Sequence, residues 1–315
     1  MKIVIMEPLG ITHDALLALT MLLKADGHDM VAYDKRAESD EELIKRVHDA
    51  DVIILANQPL TKRVIDQCRN LKMVDIAFTG TDHVDVNCLR YRNIMICNAA
   101  GYSTNAVAEL VFGLVIDLYR TIPVCDRTVR SGGSAFKMGI ELSGKKFGIV
   151  GTGSIGLRVA ELAGAFGCEL LGYSRHERQE GIDLGIQYKS LEEVLSESDI
   201  VSLHLPLTKD TKGLIGRAQI GMMKENALLI NTARGGVVDY SALADALNRE
   251  AIAGAGIDVY EQEPPLPPAH PILTAKNTIL TPHIAYATRE SLYQRASIVF
   301  ENVRCWLIGE PQNVV

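Results

Sequence analysis

Short runs of β-branched and other apolar residues alternate with longer amphipathic stretches along almost the whole chain. Uninterrupted apolar runs predict strands that are buried on both faces, and Leu, Ile and Val at helical spacing predict helices between them. In the first hundred residues the predicted strands are 2–6, 30–34, 51–56 and 72–78, and the predicted helices are 13–25, 39–48 and 61–69.

The same alternation starts again near residue 145 and continues almost to the end of the chain. Strands that alternate with helices indicate βαβ units, so we predict an α/β protein with two doubly wound parallel sheets. The strands predicted for this second series are 145–151, 168–173, 199–205, 227–231 and 253–258.

Two helical stretches lie outside these series. Residues 102–130 connect the two series and have the spacing of one long helix or a bent pair, with Pro123 as the predicted break. A last helix is predicted at 288–308, before Gly309 and Pro311.

Composition changes this picture only by exclusion. A length of 315 residues favours two domains, and a net charge of −7 argues against a general nucleic-acid binder. No apolar run approaches the roughly 20 residues that cross a bilayer, and MKIVIMEPLG is too short for a secretory signal. The six cysteines have no paired spacing, so we expect reduced thiols, no metal and a cytoplasmic location.

A glycine motif, GTGSIG at 151–156, follows a predicted strand and precedes a helix predicted at 157–166. In this context Gly151 permits a tight turn, Gly153 lets a pyrophosphate approach the backbone, and Gly156 lets helix and strand pack closely. The helix N-terminus would offer N–H groups to the phosphates. The motif predicts a dinucleotide site; the alternative is a glycine-rich turn without a ligand.

The end of the next predicted strand lacks the carboxylate that usually holds the ribose 2′-hydroxyl of NAD. Ser174 stands at the expected position, and Arg175, His176 and Arg178 follow it. A carboxylate repels a 2′-phosphate, whereas serine and arginine can bind one. We therefore expect NADPH to be preferred over NADH; the alternative is that Arg175 and Arg178 are solvated loop charges.

Three apolar segments in the last third of the chain end at Arg234, Glu263 and His283. Arginine binds a carboxylate with two hydrogen bonds, histidine transfers protons near neutral pH, and a carboxylate can hold that histidine charged. The set suits chemistry on a small anionic keto or hydroxy acid, although hydrolysis would use similar residues. Each residue also has a structural alternative: a helix cap for Arg234, an exposed loop acid for Glu263, and a buried histidine for His283.

Ordered motifs over nearly the whole chain resemble the D-isomer-specific 2-hydroxyacid dehydrogenases, a family that includes glyoxylate and hydroxypyruvate reductases, D-lactate dehydrogenases and phosphoglycerate dehydrogenases. Several motifs in matching order are far more specific than any one of them. They are FTGTDHVDV (78–86), NAAGYSTNAVAE (98–109), GIVGTGSIG (148–156), HLPLTKDTKGLI (204–215), NTARGGVVD (231–239), GIDVYEQEP (256–264) and TPHIA (281–285).

The resemblance implies a role for each residue of the set. Arg234 would bind the substrate carboxylate and polarise the carbonyl, His283 would protonate the oxygen during reduction, and Glu263 would orient His283. The implied substrate-binding positions are Phe78, Thr79, Gly80, Tyr102, Arg234 and Tyr286. The implied cofactor-binding positions are Thr104, Gly151, Gly153, Ser154, Ile155, Gly156, Ser174, Arg175, His204, Pro206, Thr211, Thr232, Ala233 and Asp258.

The resemblance also implies a discontinuous architecture. Residues 1–100 with 285–315 would form a flavodoxin-like substrate domain, residues 101–284 would form a Rossmann cofactor domain, and the two would enclose a cleft. The family also implies a homodimer, with 102–140 as the expected contact.

The expected activity is reduction of a small 2-oxo acid, such as glyoxylate, hydroxypyruvate or pyruvate, to the D-2-hydroxy acid with NADPH or NADH. Tyr102 and Tyr286 would narrow the site toward such acids; alternatively, each only packs nearby. Oxidation of D-3-phosphoglycerate is the second hypothesis for the activity. An NAD(H)-responsive binding protein of the corepressor type is the alternative from another functional class, because fold alone does not define function.

Overall fold

A computed structural model describes residues 1–315, which divide into two compact units. The first unit combines Met1–Ser103 with Ala287–Val315, and the second is Thr104–Tyr286. Each unit contains one sheet whose strands all pair in parallel, with helices between successive strands. The α/β class predicted from the alternation is confirmed.

The first unit is built on a five-stranded sheet with the order β2-β1-β3-β4-β5. Its strands are short and, in the sheet centre, fully buried, as the uninterrupted apolar runs predict. The strands are β1 (Lys2–Ile5), β2 (Asp29–Ala32), β3 (Val52–Leu55), β4 (Met73–Ile76) and β5 (Met95–Asn98). The helices are α1 (His13–Ala25), α2 (Asp40–Val47), α3 (Lys62–Ile65), α4 (Val86–Tyr91) and, from the C-terminal segment, α12 (Arg289–Leu307).

The second unit is built on a seven-stranded sheet with the order β12-β11-β10-β9-β6-β7-β8. Its strands are β6 (Lys146–Val150), β7 (Glu169–Tyr173), β8 (Gln187–Tyr188), β9 (Ile200–Leu203), β10 (Leu228–Asn231), β11 (Gly254–Ile257) and β12 (Thr278–Leu280). Its helices are α5 (Thr104–Arg120), α6 (Ile122–Arg130), α7 (Ser154–Ala165), α8 (Gln179–Asp183), α9 (Leu191–Glu197), α10 (Arg217–Ile220) and α11 (Tyr240–Asn248), with 3-10 turns at Gly235–Val237 and Pro271–Thr274.

The strand order of the second sheet reverses between β6 and β9. From β6 the chain runs outward to β7 and β8, and then returns to the other side of β6 for β9. In open parallel sheets, ligands bind outside the carboxyl ends of the strands at this reversal. The glycine motif directly follows β6, so the topology puts it at the expected ligand-binding edge.

Three local predictions need correction. The long connecting helix breaks at Thr121, which has a left-handed φ of 49°, and Pro123 lies in the first turn of the following helix, where proline is tolerated. Helix α7 begins at Ser154, inside the glycine motif, and not at 157, because Gly153 already serves as its N-cap. Strands β5, β8 and β12 were not predicted, since their runs of apolar residues are short.

A buried carboxyl group links the first sheet to the C-terminal helix. Asp75 in β4 is fully buried, and its Oδ1 accepts a hydrogen bond from Asn302 Nδ2 at 3.1 Å. Asn302 also donates to the Asn98 carbonyl and accepts from Asn313 Nδ2. Burial raises the pKa of Asp75 well above its ordinary value.

Replacing Asp75 with asparagine is expected to stabilise the protein more at pH 8 than at pH 5. A carboxyl whose pKa is raised by folding costs stability as the pH rises above its unfolded value of about 3.9, and an amide has no such cost. Urea unfolding of both proteins at the two pH values measures the difference. An equal effect at both pH values would contradict the assignment of Asp75 as a titrating buried acid.

No helix of the structure is both long enough and apolar enough to cross a bilayer.

Candidate active site

The three residues selected from the sequence follow three neighbouring strands of the second sheet. Strands β10, β11 and β12 lie side by side and run parallel. Arg234 follows the first of them, Glu263 the second and His283 the third. Carboxyl ends of parallel strands meet at one edge, so the topology brings the three side chains to the same edge of one unit.

The turn that carries Arg234 is fixed by buried hydrogen bonds. Asn231 Oδ1 accepts from the Ala233 N–H at 3.1 Å, and Asn231 Nδ2 donates to the Arg234 carbonyl at 3.1 Å. Arg234 Nη1 donates to the Ala233 carbonyl at 2.8 Å. Gly235 must be glycine, because a Cβ atom there would lie 1.9 Å from the carbonyl carbon of Tyr260.

Glu263 and His283 form a direct pair. His283 Nδ1 lies 2.7 Å from Glu263 Oε1, although twenty residues separate them along the chain. The carboxylate is largely exposed and the imidazole is more buried, with side-chain exposures of 67% and 27%. When Nδ1 donates to the carboxylate, Nε2 is left as the ring atom that can transfer a proton to another group.

His283 also has an unusual backbone. Its φ is +57°, in the left-handed region that β-carbon-bearing residues seldom occupy. The Tyr286 ring packs edge-on against the imidazole, with ring centroids 5.5 Å apart. Such strain persists only where the surroundings impose it, and it is concentrated at functional sites.

Asp258 imposes this conformation. The carboxylate is fully buried at the end of β11, where Oδ1 accepts from the Ile284 N–H at 2.8 Å and from Thr281 Oγ1 at 2.6 Å. Oδ2 accepts from the Ala285 N–H at 2.9 Å. Asp258 therefore anchors both sides of the turn that presents His283, while its implied contact with the cofactor stays a prediction.

The glycine motif has the geometry that a dinucleotide requires. Gly151 has a φ of +103°, and a Cβ at Gly156 would lie 2.0 Å from the Gly151 carbonyl oxygen. A Cβ at Gly153 would meet nothing within 4 Å, so the space above this residue is open. Helix α7 begins at Ser154 without a side-chain cap, which leaves its first N–H groups for a phosphate. These observations fit a bound pyrophosphate.

The segment after β7 fits the adenosine ribose. Ser174 follows the last residue of the strand, and Arg175 and Arg178 are exposed beyond it. Neither arginine forms an ion pair in the structure. Both guanidinium groups are therefore available to a phosphate.

His204 stands on the other side of the reversal point, after β9. Its Nε2 lies 2.9 Å from Ser202 Oγ, and burial lowers the pKa of His204 to about 3. A neutral histidine without a carboxylate partner does not supply a proton at neutral pH, so its position suits the predicted cofactor contact and not catalysis. In the following loop, Thr211 Oγ1 donates to the Pro206 carbonyl at 2.6 Å.

The remaining cofactor positions lie at the ends of other elements of the second unit. Thr232 is buried directly after β10, and its Oγ1 has no hydrogen-bond partner within the chain. Ala233 follows it in the Arg234 turn, Ile155 lies in the first turn of α7, and Thr104 is the first residue of α5. An unsatisfied buried hydroxyl at this edge fits a bound ligand better than an empty site.

The substrate positions of the first unit lie after β4 and β5. The N–H groups of Thr79 and Gly80 form no hydrogen bond within the chain, and the Thr79 carbonyl accepts from Asn98 Nδ2 at 2.8 Å. Phe78 and Tyr102 meet edge-to-face, with ring centroids 6.0 Å apart. The loop thus offers two backbone N–H donors beside a packed pair of aromatic rings.

Sequence reasoning missed Arg295, which packs against these two aromatic rings. The side chain is almost completely buried, donates from Nη2 to the Leu9 carbonyl at 2.7 Å, and lies over the rings of Phe78 and Tyr102. Arg295 therefore ties together the loops that follow β1, β4 and β5. The sequence did contain a signal for this residue. Arg295 stands among the apolar positions of the last helix, and a charged residue on a buried face needs a specific partner.

An arginine and a histidine oriented by a carboxylate, in one unit with a glycine motif of the dinucleotide type, are the groups with which a protein can bind, polarise and protonate a carbonyl compound. The class that this combination defines is the NAD(P)-dependent dehydrogenases.

Comparison with known proteins identifies the family. A profile described as "D-isomer specific 2-hydroxyacid dehydrogenase, NAD binding domain" matches residues 112–285. A glyoxylate reductase of Aeropyrum pernix is 38% identical over 311 residues, which cover 95% of this chain and 92% of that protein. The chain belongs to the D-isomer specific 2-hydroxyacid dehydrogenase family and is an oxidoreductase.

Two further similar proteins have different named activities. A D-3-phosphoglycerate dehydrogenase of Archaeoglobus fulgidus is 37% identical over 281 residues, but the match spans only 53% of that protein. The solved structure of an acyclic imino acid reductase in complex with NADPH and D-Arg has a TM-score of 0.89 at 31% identity, with all of both chains covered. The fold is therefore shared by enzymes that differ in substrate.

Proposed function

We propose that this protein reduces a small 2-oxo acid of the glyoxylate, hydroxypyruvate or pyruvate type to the D-2-hydroxy acid, with NADPH as the preferred reductant. The observation that carries the proposal is the 2.7 Å contact between Glu263 and His283, at the strand edge that also carries Arg234. The similarity to a glyoxylate reductase over 95% of the chain supports the same substrate class.

The proposed mechanism assigns one task to each residue. When bound, the reduced nicotinamide supplies a hydride to C2 of the 2-oxo acid. Arg234 binds the carboxylate and faces the carbonyl oxygen, where negative charge develops. His283 donates the proton from Nε2 to that oxygen, and Glu263 holds the ring by Nδ1 and stabilises its charged form. In the direction of oxidation, His283 accepts the proton from the hydroxyl.

Residues of the first unit are proposed to bind the rest of the substrate. The unbonded N–H groups of Thr79 and Gly80 support a role in binding the carboxylate. The buried ring of Tyr102 beside Phe78, and the ring of Tyr286 against His283, support a restriction to short side chains. We accordingly propose that the first unit is the substrate domain and the second the cofactor domain.

A panel of 2-oxo acids with NADPH and NADH, followed at 340 nm, tests this function. Glyoxylate, hydroxypyruvate and pyruvate are expected to be reduced faster than acids with bulky side chains. D-3-phosphoglycerate, assayed in the direction of oxidation, tests the second hypothesis, which has less support because the phosphoglycerate dehydrogenase relative is matched over only 53% of its length. If no acid is turned over while the cofactor still binds, the protein is a nucleotide-responsive binding protein instead.

Cofactor preference is a separate prediction. The value of kcat/KM is expected to be at least about tenfold higher with NADPH than with NADH, because Ser174, Arg175 and Arg178 accept a 2′-phosphate where a carboxylate would repel it. Replacing Ser174 with aspartate is expected to reverse the preference. The matched control is Ser190→Asp, in a helix N-cap of the same unit. A tenfold preference of the parent for NADH would exclude the proposal.

Replacing Glu263 with glutamine is expected to lower kcat for reduction by about tenfold or more at pH 7.5, because glutamine keeps a hydrogen bond but loses the charge that stabilises protonated His283. Steady-state kinetics of parent and variant at pH 7.5 measure the loss. The control is Glu261→Gln, which alters the neighbouring pair with His270. An unchanged kcat for Glu263→Gln would remove its proposed role.

We also propose a homodimer formed through residues 102–140, and a cytoplasmic location for it. Helix α6 has no buried residue, and the segment after it exposes Phe136 and Met138 at 79% and 87%. Exposed apolar side chains in one segment support an interface there. Sedimentation equilibrium tests the dimer, and a monomer at micromolar concentration would contradict it.

A further inference from the structure

A tyrosine outside every motif named above connects the two loops that would hold the adenosine half of the cofactor. Tyr188 ends the edge strand β8, and its backbone pairs with Gly172 of β7. The Tyr188 hydroxyl donates to Thr152 Oγ1 at 3.1 Å and accepts from the Arg178 N–H at 3.3 Å. A single hydroxyl therefore bridges the glycine motif and the segment that follows β7.

The space around this side chain is shaped to receive it. A Cβ atom at Gly181 would lie 2.3 Å from the Tyr188 hydroxyl oxygen, and one at Gly172 would lie 3.6 Å from its ring. The ring is half-buried against the apolar core of the unit, and Thr152 is buried. The hydroxyl position is consequently set by packing and not by solvent.

The Tyr188 hydroxyl restricts the position of the Arg178 backbone. Arg178 is exposed, forms no ion pair, and caps α8 only with its backbone. Its backbone N–H bond to Tyr188 links this residue to the glycine motif, while its carbonyl accepts from the Gly181 and Ile182 N–H groups of α8. A flexible guanidinium binds a phosphate more weakly, because ordering it costs conformational entropy.

We propose that Tyr188 is a positioning residue for cofactor specificity: its hydroxyl holds Arg178 where the guanidinium meets the 2′-phosphate of NADPH. The inference rests on the proposed preference for NADPH and extends it to a residue that does not contact the phosphate itself. Tyr188 thereby sets the discrimination between NADPH and NADH, and leaves the transfer of hydride and proton unchanged.

The test is Tyr188→Phe, with dissociation constants for NADPH and NADH measured by titration of the reduced-nicotinamide fluorescence. The NADPH constant is expected to rise about three- to tenfold through loss of the bond to Arg178, and the NADH constant to rise less, because only NADPH carries the 2′-phosphate. At saturating NADPH, kcat should equal that of the parent. The matched control, Tyr91→Phe, removes an exposed hydroxyl in the other unit and should change neither constant.

A double-mutant cycle with Arg178→Ala separates positioning from general support of the fold. In the Arg178→Ala protein, Tyr188→Phe should cause little further loss of NADPH affinity, because the guanidinium that it positions is absent. Equal weakening of both cofactors, additive losses in the cycle, or no loss at all would overturn the role of Tyr188. The parent alone tests the proposed function: if it prefers NADH, the proposed cofactor preference fails, and the role of Tyr188 fails with it.

Discussion

The His283→Gln variant is expected to lose about a thousandfold in kcat for reduction, within the range of about 10² to 10⁴ that general acid catalysis contributes. Glutamine is similar in reach and still forms hydrogen bonds, but it cannot give up a proton to the developing alkoxide. Binding of NADPH should be nearly unchanged, because the glycine motif follows a different strand. Steady-state kinetics and a fluorescence titration of NADPH measure the two effects.

The structure supplies a demanding control for this experiment. His270 Nε2 lies 3.1 Å from Glu261 Oε2, so the same unit contains a second histidine–glutamate pair that follows the same strand. The His270 ring packs against Tyr240 and Tyr260 and not at the end of β12. His270→Gln should therefore retain most of the activity. If both variants lose activity equally, or if His283→Gln remains active, His283 is not the proton donor.

The second large effect is expected from alanine substitutions at two glycines of the glycine motif. One should weaken cofactor binding alone, and the other should lower stability as well. Gly153→Ala should fold normally, because a Cβ there meets no atom within 4 Å. Its affinity for NADPH should fall on the order of a hundredfold, since the methyl group occupies the space through which a pyrophosphate approaches the backbone. Thermal unfolding with and without NADPH measures stability and binding in one experiment.

Gly156→Ala should instead lose stability as well as cofactor binding. The added Cβ would lie 2.0 Å from the Gly151 carbonyl oxygen, so the helix must move away from the loop, at a cost of about 2 kcal/mol or more. Gly164→Ala, later in α7, is the matched control, because its Cβ would meet its nearest atom at 3.9 Å. A Gly156→Ala protein with parental stability and affinity would contradict the role of close packing at this position.

Local patterns were sufficient to predict most of the fold. Apolar runs predicted the central strands of both sheets because those strands are buried on both faces, as β3 and β9 are. The pattern was less informative at the sheet edges. Strand β8 has only two residues, one of them exposed, and its tyrosine looks from the sequence like any half-buried aromatic residue.

The candidate site was also predicted in part. The residues with a local sequence motif were identified, and the contacts between distant residues were not. The sequence motifs identified Arg234, Glu263, His283 and the glycine motif, because each stands at a strand end with a recognisable local context. They did not identify the anchoring of the His283 turn by Asp258, or the support of Phe78 and Tyr102 by Arg295. Both contacts join residues that are remote in sequence.

By itself, the sequence predicted two α/β series, a glycine motif of the dinucleotide type in the second, and three candidate catalytic residues at strand ends, because side-chain periodicity and glycine spacing are local properties. Only the tertiary structure decided that β10, β11 and β12 are neighbours, which gathers the three residues at one edge. It also decided the left-handed turn at His283 and the bridge from Tyr188 to Thr152 and Arg178. Strand order and contacts between distant residues depend on how the whole chain packs, and no local pattern encodes them.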